Sequence, residues 1–207
     1  MFDPDMLFRI PALLIALTVH EYSHARAAVM LGDPTPRFMG RLTLNPIPHL
    51  DPIGLIMLWL AQFGWAKPVE VNPLNFADYR KGMLYVALAG PISNIVLAFL
   101  TYVMIAVLLI FGLMTPFWHK MLFILYKYNL VLAVFNMLPI PPLDGSKVMA
   151  SLFPAVERSE AFNFLERYGF MVLMALVILG VMWAVMSPFI SGLDVIIRGI
   201  VGIIFFS

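Results

Sequence analysis

Apolar residues run along this chain in long blocks, and polar residues interrupt them at a few places only. The first block, residues 7–31, is long enough to cross a bilayer as helix, which takes about 20 residues. Its second half carries His20, Glu21 and His24. Gly32, Asp33 and Pro34 end it, because glycine suits the residue after a helix and proline cannot continue one. Residues 37–52 break the pattern with Pro46, Pro48, His49, Asp51 and Pro52. Within them, residues 41–44 alternate polar and apolar positions, which predicts a short strand, and residues 67–72 predict a second. The apolar run 53–63 is only about eleven residues long, too short to cross, and reads as re-entrant or interfacial. Full spans follow at about 83–113, 121–138 and 168–186, and a short apolar piece, 192–206, crosses, lies flat or packs as a hairpin arm.

The predicted fold is therefore an all-α polytopic membrane protein with about four to six transmembrane helices. A small re-entrant β-containing loop sits between the first and second full spans, since irregular backbone at membrane depth needs protein or water around it. One membrane-embedded domain, 1–207, is expected, with a core over about 7–150 and C-terminal helices over about 165–207. Met1 to Met6 lacks the basic region and cleavage site of a signal peptide, so the first helix is expected to be retained.

Composition agrees: 62% of residues are hydrophobic and 12% charged, against about a quarter charged in soluble domains. A net charge of +1 offers no case for nucleic acid as a partner. With no cysteine, any metal ligands must be histidines or carboxylates. If the first helix crosses and the following loop does not, one face collects Arg26, Arg37, Arg41, Lys67, Arg80, Lys81, Lys147, Arg158 and Arg167. That asymmetry predicts a cytoplasmic location for this face and an outside N-terminus.

His20-Glu21-Tyr22-Ser23-His24 is an HExxH motif. Positions i and i+4 share a helix face, so both imidazoles can reach one ion while Glu21 stands close enough to polarise water there. Paired core histidines would be the bland explanation, but ionisable groups this deep in an apolar span are costly and usually functional. Catalytic zinc commonly takes three protein ligands. Asp144, after a proline-broken helix end, and His49, in the loop, both remain candidates for the third; Asp144-Gly145 would also suit a plain turn. His119, beside Trp118 and Lys120, reads as interfacial.

Three motifs stand in order: residues 20–24, then Gly90-Pro91-Ile92-Ser93-Asn94, then Asn136-Met137-Leu138-Pro139-Ile140-Pro141-Pro142-Leu143-Asp144-Gly145. Together they resemble the site-2 protease family of intramembrane zinc metalloproteases, and residues 40–54 resemble its compact branch without PDZ or CBS domains. The resemblance implies that Asp144 is the third Zn2+ ligand beside His20 and His24, that Glu21 is the general base, and that Asn94 holds the substrate or its oxyanion. Asn45, His49 and Asn136 are further substrate-binding candidates, although Asn136 also reads as a helix-packing residue. Implied substrates are membrane proteins with a transmembrane helix or membrane-retained signal-peptide remnants, cut within the bilayer. A prokaryotic plasma membrane, with the active site toward the cytoplasm, is the expected setting. A membrane metal transporter and an inactive helix-binding relative are the rival readings; neither needs Glu21 as a base.

Overall fold

The computed structural model describes residues 5–54, 56 and 64–206. Helix α1 (Met6–Met30) ends at Leu31, and Gly32 follows at φ +105°, a backbone state that a side chain would strain. Asp33 then gathers the chain. Its carboxylate accepts from the Thr35 hydroxyl (2.6 Å), the Asn75 amide (2.7 Å) and the Asn72 N–H (2.8 Å), so residues 72–75 are held to the end of α1. A short α2 (Thr35–Phe38) and 3-10 turns at Ile47–His49 and Pro73–Asn75 complete this connection.

Helix α3 (Tyr79–Ile110) starts where the Asp78 carboxylate accepts from the N–H groups of Arg80 and Lys81, two donors that have no partner inside the helix. Helix α4 (Pro116–Asn136) starts similarly on the Thr115 hydroxyl, with Pro116 in its first turn. Then come α5 (Asp144–Leu152), α6 (Pro154–Glu157), α7 (Glu160–Ile178) and α8 (Val181–Phe206). Helices α1, α3 and α4 pack on one another, and α8 lies against α3 and α4. Alanines make the approach of α1 close: Ala12 and Ala16 are fully buried beside Leu125 of α4, and Ala28 is fully buried beside Phe76 and Val86. A larger core of Tyr126, Leu130, Val134, Leu173, Met186 and Ile190 joins α4, α7 and α8.

The fold is mostly helical, and among the described residues three helices, α3, α7 and α8, are long and apolar enough to cross a membrane. Four to six were expected from the sequence. The difference lies in α1 and α4, which are long but whose apolar runs are interrupted by Arg9, His20, Glu21, His24 and Arg26 on α1 and by Lys120, Lys127 and Asn129 on α4. The span predicted at 168–186 and the short piece at 192–206 are instead two helices meeting at Leu179 and Gly180, where Gly180 takes φ +72°. An apolar run continuous through one glycine hides that turn.

The predicted β-loop is also corrected. Among the described residues there is no strand, only one isolated antiparallel bridge between Leu50 and Ala66. Residues 41–45 bend, because the Arg41 guanidinium turns inward to the carbonyls of Pro48 and Lys67 and takes over the bridging a ladder would do. Residues 67–72 have no regular secondary structure, and the Val69 N–H goes to the Glu21 carboxylate. The re-entrant segment predicted over 53–63 lies largely outside the described residues.

Candidate metal centre

Three acceptor atoms converge where α1, α3 and α5 meet. His20 Nε2 and His24 Nε2 are 3.0 Å apart, and Asp144 Oδ2 stands 3.1 Å from the first and 3.0 Å from the second. All three residues are buried, as is Glu21. The i, i+4 spacing on α1 brings the two imidazoles together. Asp144 reaches them because α4 stops at Asn136 and the chain turns through Pro139, Pro141 and Pro142 before α5 begins at Asp144 itself. Gly145 makes the turn possible: a Cβ there would lie 2.2 Å from the Met137 carbonyl oxygen.

The other ring nitrogens settle which atoms carry protons. His24 Nδ1 lies 2.7 Å from the Val86 carbonyl oxygen, which can only accept, so Nδ1 holds the hydrogen. The Asn94 amide nitrogen donates to the Ala16 carbonyl (3.1 Å) and to Asn129 Oδ1 (2.8 Å), which turns Asn94 Oδ1 toward His20 Nδ1 at 2.6 Å. His20 Nδ1 therefore holds its hydrogen too. In neutral imidazoles the two Nε2 atoms are then acceptors. They face each other and a carboxylate oxygen, and buried acceptors crowded this way repel unless a cation lies among them. One proton would serve a single pair, whereas one divalent ion serves all three. The donor set suits zinc, whose nitrogen and oxygen bonds of about 2.1 Å in a tetrahedron place donors roughly 3.4 Å apart. His20, His24 and Asp144 are the one group of this kind among the described residues.

Room for the rings comes from α3. A Cβ on Gly90 would sit 2.4 Å from His24 Nε2 and 2.6 Å from His20 Nε2, so glycine is needed where the helix passes the triangle. Ser93 spends its hydroxyl on the Gly90 carbonyl, at 2.7 Å.

The centre opens on a cavity of about 500 Å³ lined by Glu21, Val69, Phe135, Asn136, Lys147 and Phe170 among others. Glu21 Oε2 accepts the Val69 N–H at 3.1 Å, which ties the general-base candidate to segment 67–72. Lys147 brings a cation to the wall, with Nζ 3.9 Å from Asp144 Oδ1. Trp65, also lining the cavity, meets Phe170 of α7 edge-on with ring centres 5.5 Å apart.

Not every predicted residue gathers here. Asn136 lines the cavity, its amide donating to the Leu132 carbonyl at 3.0 Å. His49 is buried elsewhere, with Nε2 on the Thr43 carbonyl at 2.9 Å, so it is neither a third ligand nor a cavity residue. Asn45 is exposed, and its side chain closes a local turn onto the Ile47 N–H. The oxyanion role implied for Asn94 does not fit its surroundings, because both amide hydrogens are committed and the residue is fully buried. Sequence reasoning missed Asn129, the Val86 carbonyl and Lys147. An asparagine inside an apolar helix is a signal for the first; a backbone carbonyl leaves none.

Comparison with known proteins adds the following. The pattern of Peptidase family M50 matches residues 112–180, which include Asp144-Gly145 but not the His20–His24 turn. A Bacillus subtilis (strain 168) protein, "Putative zinc metalloprotease YwhC", is 37% identical over 202 residues, covering 93% of this chain and 90% of its own. "Putative zinc metalloprotease Rip2" of Mycolicibacterium smegmatis is 31% identical over 182 residues, covering 82% of this chain and 66% of its own. Its Mycobacterium tuberculosis H37Rv namesake is 34% identical over 160 residues, covering 73% and 60%. No solved structure matches.

Proposed function

Because the chain belongs to Peptidase family M50, the site-2 proteases its motifs resemble, we propose that it is a zinc protease that hydrolyses peptide bonds within membrane-embedded substrates. The observation that carries this reading is the closed triangle of buried acceptors beside Glu21 on a cavity wall. A bare metal-storage or transport site has no use for that neighbouring carboxylate.

His20, His24 and Asp144 would hold the ion. When bound, zinc supplies Lewis acidity to water and to the scissile carbonyl. Glu21 takes the proton from the attacking water and returns it to the leaving amine. The Val69 N–H fixes one Glu21 oxygen, leaving the other for the proton. Asn94 acts as a positioning residue, holding the His20 ring in the tautomer that turns Nε2 to the ion. Lys147 offers its charge to the developing oxyanion from the cavity wall; Lys147→Met should lower kcat while zinc content is unchanged. Pro68, Val69 and Val71 line the cavity, and an unwound substrate can pair with the backbone there.

The protein is an integral membrane protein by its three apolar helices and its family. We place α1 and α4 across the bilayer as well, since both pack against α3 and their 25 and 21 residues suffice. The active-site end then faces the cytoplasm by the lysine and arginine count, and single-span proteins or signal-peptide remnants are the substrates. Wild type and Glu21→Gln, compared on a fluorogenic transmembrane substrate in detergent, test the proposal. Cleavage should fall by about two to four orders of magnitude in the variant. Equal cleavage by both would reject Glu21 as the base.

A further inference from the structure

Outside the cavity lining, a second polar cluster sits between α4 and α8. Asp194, near the middle of α8, is its centre. Tyr126 donates its hydroxyl to Asp194 Oδ1 at 2.8 Å, Lys127 Nζ stands 3.2 Å from the same oxygen, and Arg198 Nε stands 2.9 Å from Oδ2. The Arg198 guanidinium also lies over the Tyr102 ring, 5.4 Å from its centre.

The charges do not cancel. Lys127 and Arg198 are two cations, and among the described residues Asp194 is the one carboxylate paired with them. The cluster therefore carries one surplus positive charge. It is not sealed: the side chains of Lys127 and Arg198 are 36% and 42% exposed, against 20% for Asp194. Helix α8 is long and apolar enough to cross a membrane, and both Lys127 and Asp194 stand near mid-helix. Lipid phosphates lie at the edges of a hydrocarbon layer about 30 Å thick. A surplus charge at this depth is expensive, and its natural counter-charge is a carboxylate brought by another helix at the same level.

The surface beside Arg198 has the shape such a helix needs. Ser191, Val195, Arg198 and Gly202 follow one another at spacings of four, three and four residues, so they form one stripe. Ser191 and Val195 are exposed and Gly202 is half-buried. A Cβ on Gly202 would meet nothing within 4 Å, so packing inside this chain does not call for a glycine there. A second copy of the chain would bring the same surplus of positive charge and fits less well.

We propose that this α8 stripe docks a transmembrane partner helix carrying one Asp or Glu near its middle, whose carboxylate pairs with Arg198 and Lys127. The site is separate from the cavity and does not depend on the protease reading.

The test uses the full chain, as the Glu21→Gln variant so that nothing is cut, reconstituted in phosphatidylcholine vesicles. Two fluorescent single-span Leu/Ala peptides, one with a central Asp and one with Leu there, are titrated by energy transfer to the labelled chain. The Asp peptide should bind about tenfold tighter. Arg198→Gln should erase that preference, Arg198→Lys should keep it, and Gly202→Leu should weaken both peptides. Zinc content, unchanged in every variant, reports that the fold is intact. Equal binding of the two peptides, or a preference that survives Arg198→Gln, would overturn the proposal. So would transfer between labelled chains that Gly202→Leu abolishes, which would make a second copy the occupant.

Discussion

Two polar clusters interrupt the apolar interior, and their protein groups are unbalanced in opposite senses. At the α1–α3–α5 junction, three acceptors face one another and together suit a cation. Between α4 and α8, two cations share one carboxylate and lack an anion. The first is buried on every side except the cavity, and each imidazole is locked from behind by Val86 or Asn94. The second is open toward the surface of α8. A cluster whose protein groups are mostly of one kind names the chemistry of the partner that suits it. Enclosure tells whether that is a small ion or a larger partner.

Gly90→Ala should break the first cluster most severely. Its methyl group would lie 2.4 Å from His24 Nε2, so α3 or the ring must move. Zinc retention and cleavage should both be lost, as measured by metal analysis of the purified variant. Zinc kept at the wild-type level would show that the triangle does not need the close passage of α3.

Asn94→Leu comes next. Without its oxygen the His20 ring loses the partner that fixes its tautomer, and zinc affinity should fall by about ten- to a hundredfold in competition with a chelator. A donor to the oxyanion would instead change kcat and leave zinc affinity alone, so the two roles separate.

The second cluster predicts an asymmetry. Asp194→Asn leaves two cations with no carboxylate and should destabilise the detergent-solubilised protein by about 1 kcal/mol. Arg198→Met removes the surplus and should be neutral or stabilising. Thermal unfolding of both variants reads this directly, and equal losses would contradict the charge count.

Asp33 supplies a control, an anion whose partners are complete. Burial pushes its carboxyl up, but hydrogen bonds from Thr35, Asn75 and Asn72 outweigh burial and hold it below its ordinary value of 3.8. A depressed carboxyl contributes stability above its unfolded value and loses it as pH falls through the folded one. Wild type should therefore exceed Asp33→Asn in stability near neutral pH, and the gap should close below about pH 4. A gap that widens in acid would reverse the sign.

Much of the first cluster was legible in the sequence. His20, Glu21 and His24 announce themselves because helical spacing and membrane cost act together on one segment. Asp144, after its prolines, stood beside His49 as a candidate that a plain Asp-Gly turn would also explain, and the resemblance to a known family decided for it. What supports them was not: the Val86 partner is a backbone carbonyl, and Gly90 looks like any helix glycine until α1 is packed against it. The predicted strand at 41–44 failed because alternation says nothing about where a side chain goes, and Arg41 turns inward. The span count was less legible: three helices stand out by length and apolarity, whereas the apolarity of α1 and α4 is interrupted by residues such as His20, Glu21, His24, Lys127 and Asn129.

The central claim is that three buried acceptors are held together by an ion. Metal analysis of the chain purified without chelators, beside Asp144→Ala, tests it most directly. The account predicts about one zinc per chain in the wild type and little in the variant. A wild type that takes up no zinc under metal-replete conditions, or a variant that holds as much, would contradict it.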